Sequence, residues 1–246
     1  MSDNIASPLN EAADWRDELT WYTHETGVAR LLKTVFTPLF RVPATIESQG
    51  VEHIPLEGPL VMAFNHISNY DVPFIVMHLP RHPFFMAKRE LFRNKPFGWT
   101  IRQFGGFPIN RGERDPWAIA QAGRVLQAGQ MLFMFPEGTR SGPKAQLKRG
   151  KIGAVKLALE HQAPILPAAI FGTQKIRWGW KRNEVRLQFG EPLDVVALAG
   201  PPPYSYETLQ SLTDTLMLRI AAMLPPAHRG VYAEKHASGP EAEAKG

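Results

Sequence analysis

A histidine and a carboxylate lie five residues apart in one short polar stretch of the sequence, at His66 and Asp71. The apolar run before them, residues 60–64, predicts a buried strand, and the apolar run after them predicts a helix with Asp71 at its N-cap. On one continuous helix the two side chains would point about 140° apart, so they meet only if the backbone turns between them. Ser68 and Asn69 favour such a turn. The pair then fits a general base held by its orienting carboxylate, or a purely structural capped helix.

Further reactive side chains follow the ends of other predicted strands. Arg111 closes one short apolar run, and Glu137, Thr139 and Arg140 follow another. The carboxyl ends of parallel strands share one edge of a sheet, so these groups can line the same pocket as His66. The arginines offer planar forks for a phosphate, and Gly138, Lys148 and Lys151 could add an oxyanion donor and positive charge.

Strand and helix patterns alternate through the middle of the chain. The sequence therefore predicts an α/β fold with a largely parallel central sheet flanked by helices, in one domain. We expect an N-terminal helical membrane-association element over residues 1–44, the catalytic domain over 45–224 and a disordered polar tail over 225–246. The nucleophile elbow Gly-x-Ser-x-Gly does not occur in the sequence, so the nucleophile is expected to be a hydroxyl of the substrate.

The amino-acid composition excludes several kinds of site and limits the classes of binding partner. Cysteine is absent, which excludes a thiol nucleophile, a cysteine-ligated zinc and a disulfide framework. The 28 basic and 23 acidic residues give a net charge of +5, but residues 1–26 carry one Arg and six acids, so the other 220 residues carry +10. A body this basic attracts an anion, which leaves open nucleic acid, an anionic membrane surface and a phosphorylated substrate.

One segment near the N-terminus is strongly amphipathic. Apolar residues recur at helical spacing between Val28 and Phe40, with Arg30, Lys33 and Arg41 at the edges. Such a helix can lie flat on an anionic membrane or pack its stripe on the domain behind it. The basic, tryptophan-containing segment 177–182 is likewise open to two interpretations, a lipid-interface anchor or a solvated loop. We find no secretory signal and no apolar run long enough to span a membrane.

Four ordered blocks between residues 45 and 190 resemble the glycerolipid acyltransferase family. The blocks are Asn65-His66-x-Ser68-x-x-Asp71, Gly106-Phe107-Pro108-Ile109-Asn110-Arg111, Phe135-Pro136-Glu137-Gly138-Thr139-Arg140-Ser141 and Pro164-Ile165-Leu166-Pro167. The first and third are the most specific. The sequence departs from the usual pattern at Ile67, Pro108 and Asn110, positions that bear on substrate preference more than on chemistry.

The resemblance implies a role for each block. In the family, a histidine held by an aspartate deprotonates an acceptor hydroxyl, which assigns His66 and Asp71 as catalytic residues. Acceptor binding is implied for Arg111, Glu137, Gly138, Thr139 and Arg140, to which we add Lys148 for its charge. The fourth block places Pro167 on the acyl side of the site. No metal or other cofactor is expected, because the acyl group arrives as a thioester of coenzyme A or acyl carrier protein.

The implied reaction moves that acyl group to the sn-2 hydroxyl of 1-acylglycerol 3-phosphate and gives phosphatidic acid. Another lysophospholipid, glycerol 3-phosphate or a lyso-aminolipid remains an alternative acceptor. The resemblance also favours the anionic membrane surface as a partner, at the cytoplasmic face of the cell membrane, with peripheral rather than spanning attachment. Nucleic acid is not expected to bind, because that interpretation leaves the histidine and the carboxylates at the strand ends without a purpose.

Overall fold

The computed structural model describes residues 14–142, 144–176 and 182–233. In this part of the chain, helices pack on both faces of a seven-stranded sheet. The strands are β1 Ala44–Gln49, β2 Leu60–Phe64, β3 Pro83–Lys88, β4 Gly106–Ile109, β5 Met131–Met134, β6 Ile165–Phe171 and β7 Asn183–Phe189. The helices are α1 Gly27–Phe40, α2 Asp71–His78, α3 Lys95–Gln103, α4 Pro116–Gln127, α5 Gly153–Glu160, α6 Val195–Ala199 and α7 Tyr206–Met223.

The sheet order is β1-β7-β6-β2-β5-β3-β4. The five strands from β6 to β4 run parallel, β7 is antiparallel to β6, and β1 is parallel to β7. The predicted α/β class with a largely parallel sheet is therefore confirmed. Five strands also end at one edge, which is where a parallel sheet presents its functional loops.

Both faces of the sheet are covered, as a parallel sheet requires. All five residues of β2 are fully buried, which explains why this segment is a continuous apolar run instead of an alternating one. One core lies between the sheet and α4, α5, α6 and α7, and the other lies between the sheet and α1, α2 and α3. The central strand β2 thus has a rigid position from which the following turn begins.

Some apolar side chains of helix α1 pack on the domain, and others are exposed to solvent. Phe36 packs edge-on against Phe104, and Phe40 against Phe74, with ring centroids 6.2 and 5.7 Å apart. The neighbouring row along the helix is solvent-exposed and consists of Val28, Leu31, Val35 and Leu39. The two interpretations left open by the sequence are therefore compatible, because one side of the stripe packs on the domain and the other remains uncovered.

The chain termini differ in part from the sequence-based expectation. Residues 14–22 of the N-terminal element include a short 3-10 helix, Trp15–Glu18, that is hydrogen-bonded to the domain. The prediction of a disordered tail from residue 225 is wrong for residues 225–233, which form two 3-10 helices. Tyr232 is buried there, and its hydroxyl accepts a hydrogen bond from the Gly150 amide. The segments 1–13, 177–181 and 234–246 lie outside the described residues.

Candidate active site

Four chemically important side chains follow the ends of parallel strands in the same sheet. His66 comes two residues after β2, Glu137 three residues after β5, Thr173 two residues after β6 and Arg111 two residues after β4. Strand β2 lies between β6 and β5 in the sheet. The residues that follow β6 and β5 therefore approach His66 from its two sides.

The turn between β2 and α2 brings His66 and Asp71 together. The imidazole Nδ1 lies 2.7 Å from Asp71 Oδ2, and this same oxygen accepts the backbone N–H groups of Ile67 and Ser68 at 2.6 and 2.9 Å. Thr173 donates its hydroxyl to the other oxygen, Oδ1, at 2.5 Å. Asp71 is the first residue of α2, and the N-cap is Tyr70 instead of the expected Asp71. The carboxylate is fully buried and held by four donors.

These contacts determine the tautomer of His66. A carboxylate oxygen accepts only, so Nδ1 carries the proton and Nε2 keeps its lone pair. Within the described residues, no group is hydrogen-bonded to Nε2. The imidazole also stacks on the Phe135 ring, with centroids 3.9 Å apart and planes inclined by 14°. The ring is therefore fixed in both position and orientation, and its free nitrogen can accept a proton.

Glu137, which follows β5, is hydrogen-bonded to the backbone of the site. Its Oε1 accepts the backbone N–H of His66 at 2.8 Å, and its Oε2 accepts that of Lys148 at 2.9 Å. Burial raises the pKa of Glu137 to about 7, against the opposing effect of these two hydrogen bonds and of the Lys148 charge. Both oxygens are thus directed at the backbone. The structure gives Glu137 a bracing position, where the sequence suggested contact with the acceptor.

The loop after Glu137 is joined to the turn that holds His66. The Arg140 guanidinium donates to Asn69 Oδ1 at 2.5 Å. Ser141 donates both its backbone N–H and its hydroxyl to the His66 carbonyl, at 2.7 and 2.8 Å. Lys148 donates Nζ to the Arg140 carbonyl at 2.8 Å. Arg140 and Lys148 are exposed, so their charges face solvent directly beside the imidazole turn.

Gly138 has a conformational role in this loop. Its φ of +69° lies in the left-handed region, and a Cβ at this position would sit 3.0 Å from Lys151 Nζ. Its N–H donates to the Phe135 carbonyl at 2.9 Å, which closes a turn. The suggested oxyanion donor is therefore already engaged. Thr139 is exposed beside it.

Arg111 supplies a second guanidinium at the same edge of the sheet. It is exposed and makes no hydrogen bond or ion pair that the described residues reveal. Surrounding protein atoms and then the positive charge of Arg140 lower the pKa of Arg111, while Glu90 opposes them. Both guanidinium groups face solvent, and such groups can bind an anion.

Comparisons with known proteins identify the family of this chain. A model of the family described as "Acyltransferase" matches residues 45–171. The chain belongs to the acyltransferase family. It is 35% identical over 170 residues to the 1-acyl-sn-glycerol-3-phosphate acyltransferase of Bacillus subtilis, which covers 69% of this chain and 83% of that protein. The corresponding enzyme of Streptococcus pneumoniae is 32% identical over 203 residues, with 81% and 73% covered.

A solved structure is similar throughout most of the fold. The crystal structure of the 1-acyl-sn-glycerophosphate (LPA) acyltransferase PlsC from Thermotoga maritima aligns with a TM-score of 0.61 and 27% sequence identity. The alignment covers 77% of this chain and 76% of that one. This acyltransferase fold therefore extends well beyond the short motifs that suggested the family from sequence.

The structure separates Pro167 from the rest of the acyltransferase site. Pro167 pairs with Ala63 inside the sheet, three residues before His66, which is about 10 Å along a strand. Its carbonyl accepts the Gly190 N–H at 2.8 Å. Pro167 is buried where β6 pairs with β7. It does not lie with His66, Arg111, Glu137 and Thr173, which follow the ends of their strands. A role on the acyl side remains a prediction.

Sequence reasoning missed Thr173, Asn65 and Phe135 as positioning residues of this acyltransferase. Thr173 follows β6 by two residues, so the strand-end rule that selected His66 and Arg111 could also have selected it. Asn65 bridges to β6 by donating to the Ile170 carbonyl and accepting its N–H, at 2.9 and 2.8 Å. No signal in the sequence distinguishes the stacking role of Phe135 from ordinary core packing.

The described residues contain no group of three His, Asp or Glu side chains placed to hold a metal ion. Within the same ranges, none of the helices combines the length and the hydrophobicity needed to cross a bilayer.

Proposed function

We propose that this acyltransferase moves a fatty acyl group from a thioester to the sn-2 hydroxyl of 1-acylglycerol 3-phosphate, giving phosphatidic acid. Two findings support the proposal: relatives at 35% and 32% identity carry this activity in their names, and the site has the groups that the reaction needs. The observation that carries the proposal is the 2.7 Å contact between His66 and Asp71 beside two solvent-facing guanidinium groups.

The free Nε2 of His66 acts as the general base. It takes the proton of the acceptor hydroxyl as the hydroxyl oxygen attacks the thioester carbonyl carbon. The tetrahedral intermediate then expels the thiolate, which takes the proton back from the imidazolium and leaves as a thiol. Asp71 stabilises the imidazolium through Nδ1, and no covalent bond to the enzyme forms.

The acceptor phosphate is bound by Arg111 and Arg140, with Lys148 adding charge. A phosphate monoester carries up to two negative charges and can accept hydrogen bonds from both forks at once. It would also offset the positive charge of Arg140, which after burial is the second cause of the lowered pKa of Arg111. Glycerol 3-phosphate and other lysophospholipids share this chemistry in part, so an acceptor panel distinguishes them.

The donor thioester would carry its acyl group on coenzyme A or acyl carrier protein. A cleft of about 600 Å³ lies beside the loop that holds Arg140, with an apolar floor that includes Leu147 and with Lys144 and Lys148 among its lining residues. Basic groups over an apolar floor suit a phosphate-bearing carrier arm, and both carriers have one. We propose no other cofactor.

The test of the catalytic assignment is a pair of histidine variants. His66→Ala should lower turnover by at least about a hundredfold, because general-base catalysis contributes roughly 10²–10⁴. The exposed His24 provides a matched control, and His24→Ala should retain full activity. Assays should use lysophosphatidic acid, lysophosphatidylglycerol, glycerol 3-phosphate and a lyso-aminolipid. Robust turnover by His66→Ala would disprove the mechanism, and turnover only on another acceptor would replace lysophosphatidic acid as substrate.

We also propose that α1 attaches the enzyme peripherally to an anionic membrane, at the cytoplasmic face of the cell membrane. The exposed row with Leu31 and Val35, 63% and 61% accessible, would enter the lipid interface, and the flanking Arg30 and Arg41 would meet lipid phosphates. Burial of two such side chains contributes about 1.5–3 kcal/mol each.

Vesicle co-sedimentation tests this attachment. Leu31→Asn combined with Val35→Asn should lower binding to phosphatidylglycerol vesicles at least about tenfold, with no loss of thermal stability because both residues face solvent. Leu198→Asn, in an equally exposed apolar residue of α6 on the opposite face of the sheet, is the matched control and should bind normally. Equal binding by all three proteins would contradict membrane attachment through α1.

A further inference from the structure

A buried arginine near the N-terminus contacts the loop that carries Arg111. Arg16 is 7% exposed, and its Nη1 lies 2.9 and 2.7 Å from the two carboxylate oxygens of Asp115. Asp14 holds the other side of the guanidinium through Nε and Nη2, at 2.5–2.9 Å. The sequence motifs give this arginine no role, and 99 residues separate it from Asp115.

Asp115 is the link between Arg16 and the active-site edge. It is 5% exposed, and its Oδ2 accepts the backbone N–H of Asn110 at 2.8 Å while its Oδ1 caps α4 through the Ala118 N–H at 3.1 Å. Burial acts to raise the pKa of Asp115, but the hydrogen bonds from Arg16, Asn110 and Ala118 outweigh it and hold that pKa below its usual range.

Asn110 immediately precedes Arg111 in the sequence. The carboxylate of Asp115 therefore fixes the Ile109–Asn110 peptide, which is one peptide unit before Arg111. Arg111 itself makes no hydrogen bond or ion pair that the described residues reveal, so its position depends on its backbone. A shift of that peptide would move a phosphate-binding group away from the acceptor.

Two tryptophans, Trp21 and Trp117, contact Arg16 and hold it in position. Its guanidinium lies 4.5 Å from the centre of the Trp117 ring, whose indole N–H donates to Asp17 at 2.8 Å. Trp21 donates its indole N–H to the Arg16 carbonyl at 2.7 Å. The segment around Arg16 is thus held from both its backbone and its side chain, which makes it a rigid support for Asp115.

We propose that Arg16 and Asp115 form a positioning pair that holds Arg111 for binding of the acceptor phosphate. Neither residue touches the substrate. The inference rests on the proposed role of Arg111 as a phosphate ligand, and it gives residues 14–21 a supporting role behind the active site in addition to any role in membrane attachment.

A double-mutant cycle tests the pair. Arg111→Gln should lower kcat/KM for lysophosphatidic acid by about 10- to 150-fold, the equivalent of one charge-assisted hydrogen bond. Arg16→Gln should lower it by about tenfold, mainly through KM, because misplacement of a binding group weakens its contact without removing the base. In the Arg111→Gln background, Arg16→Gln should have no further effect on kcat/KM, because it acts only through Arg111.

A conservative variant and a stability control keep the test decisive. Arg16→Lys retains the charge but has one nitrogen in place of the three that Arg16 divides between Asp115 and Asp14, so it should recover part of the lost kcat/KM. Ile220→Val, a buried change in α7, should lower the melting temperature and leave KM unchanged.

The outcomes separate the two hypotheses. Additive losses in the double mutant, or a loss from Arg16→Gln confined to kcat, would overturn the positioning role while leaving the proposed function intact. A normal KM for Arg111→Gln would instead refute the phosphate assignment on which both depend.

Discussion

The pKa of Glu137 leads to an unusual prediction for Glu137→Gln. Burial raises this pKa from 4.5 to about 7, so the folded protein retains a proton that the unfolded chain releases from pH 4.5 upwards. The contribution of this carboxyl to the free energy of unfolding is therefore fully present below pH 4.5, falls as the pH rises, and is lost above pH 7. At about 1.36 kcal/mol for each unit of pKa, the loss is at most about 3 kcal/mol.

The hydrogen bonds of Glu137 determine the cost of the substitution itself. Its two oxygens accept the N–H groups of His66 and Lys148. Glutamine has only one acceptor oxygen, so its amide nitrogen faces one of these N–H groups and leaves it unsatisfied, at a cost of about 1–3 kcal/mol. This cost does not depend on pH, because glutamine does not titrate. The difference in stability between the two proteins should therefore be largest at pH 5 and shrink by up to about 3 kcal/mol by pH 8.

Urea denaturation of both proteins at pH 5, 6, 7 and 8 measures this difference directly. All other titrating groups are common to the two proteins and cancel in the comparison. A difference that stays constant across this range would show that the Glu137 pKa is not raised by folding. A lowered pKa would also leave the difference nearly constant, because the folded and unfolded carboxyls would then both titrate below about pH 5.

Two further predictions concern single buried groups. Thr173→Val keeps the shape of the side chain but removes the donor to Asp71, so kcat should fall about tenfold from the loss of one hydrogen bond to a charged group. Thr173→Ser keeps the donor and should recover most of the lost kcat. Thr213→Val, at another buried threonine, is the matched control and should leave kcat unchanged. Burial lowers the pKa of His82 to about 4, so its contribution to stability is present above pH 6.5 and is lost as the pH falls towards 4. His82→Gln should remove this acid sensitivity in urea titrations between pH 4 and 7, and an unchanged pH profile would contradict it.

The spacing of apolar residues predicts most of the helices and strands from sequence, because it depends only on residues that are close together in the chain. Apolar runs such as residues 60–64 and 165–171 are strands that are covered on both faces, and a buried parallel strand has no alternating pattern. The antiparallel orientation of β7 is different, because it depends on a long connection after β6 and on pairing with β1. No local pattern in residues 183–189 encodes that partner.

Residue types indicate the chemistry of the site more readily than they assign individual roles. His66 and Asp71 are predicted as a pair, and their contact confirms that the backbone turns between them. The family resemblance assigns Glu137 to acceptor binding, and residue type suggests the Gly138 N–H as an oxyanion donor, yet both groups are hydrogen-bonded to the backbone. Because hydrogen-bond partners 71 residues apart cannot be identified from spacing, sequence reasoning could not separate a bracing carboxylate from a binding one.

The hydrogen bonds of His66 leave one of its polar atoms without a partner among the described residues. The N–H of His66 is taken by Glu137, its carbonyl by Ser141 and its Nδ1 by Asp71. In the described part of the chain Nε2 alone has no partner, so the proposed general base is fixed before substrate arrives. Such fixing matters because a displacement of about 1 Å can cost roughly a hundredfold in rate.

The proposed phosphate-binding groups follow the opposite principle. Arg111, Arg140 and Lys148 end in exposed charges on long side chains. Attraction between charges falls gradually with distance, so these groups can adjust to a headgroup that arrives from a lipid surface. A rigid base combined with adjustable cations lets the enzyme accept an acceptor phosphate in variable positions while the hydroxyl still reaches one fixed nitrogen. For Arg111 the restraint comes from the backbone before it, where Asp115 and Arg16 lie. The guanidinium of Arg140 is instead restrained by its hydrogen bond to Asn69.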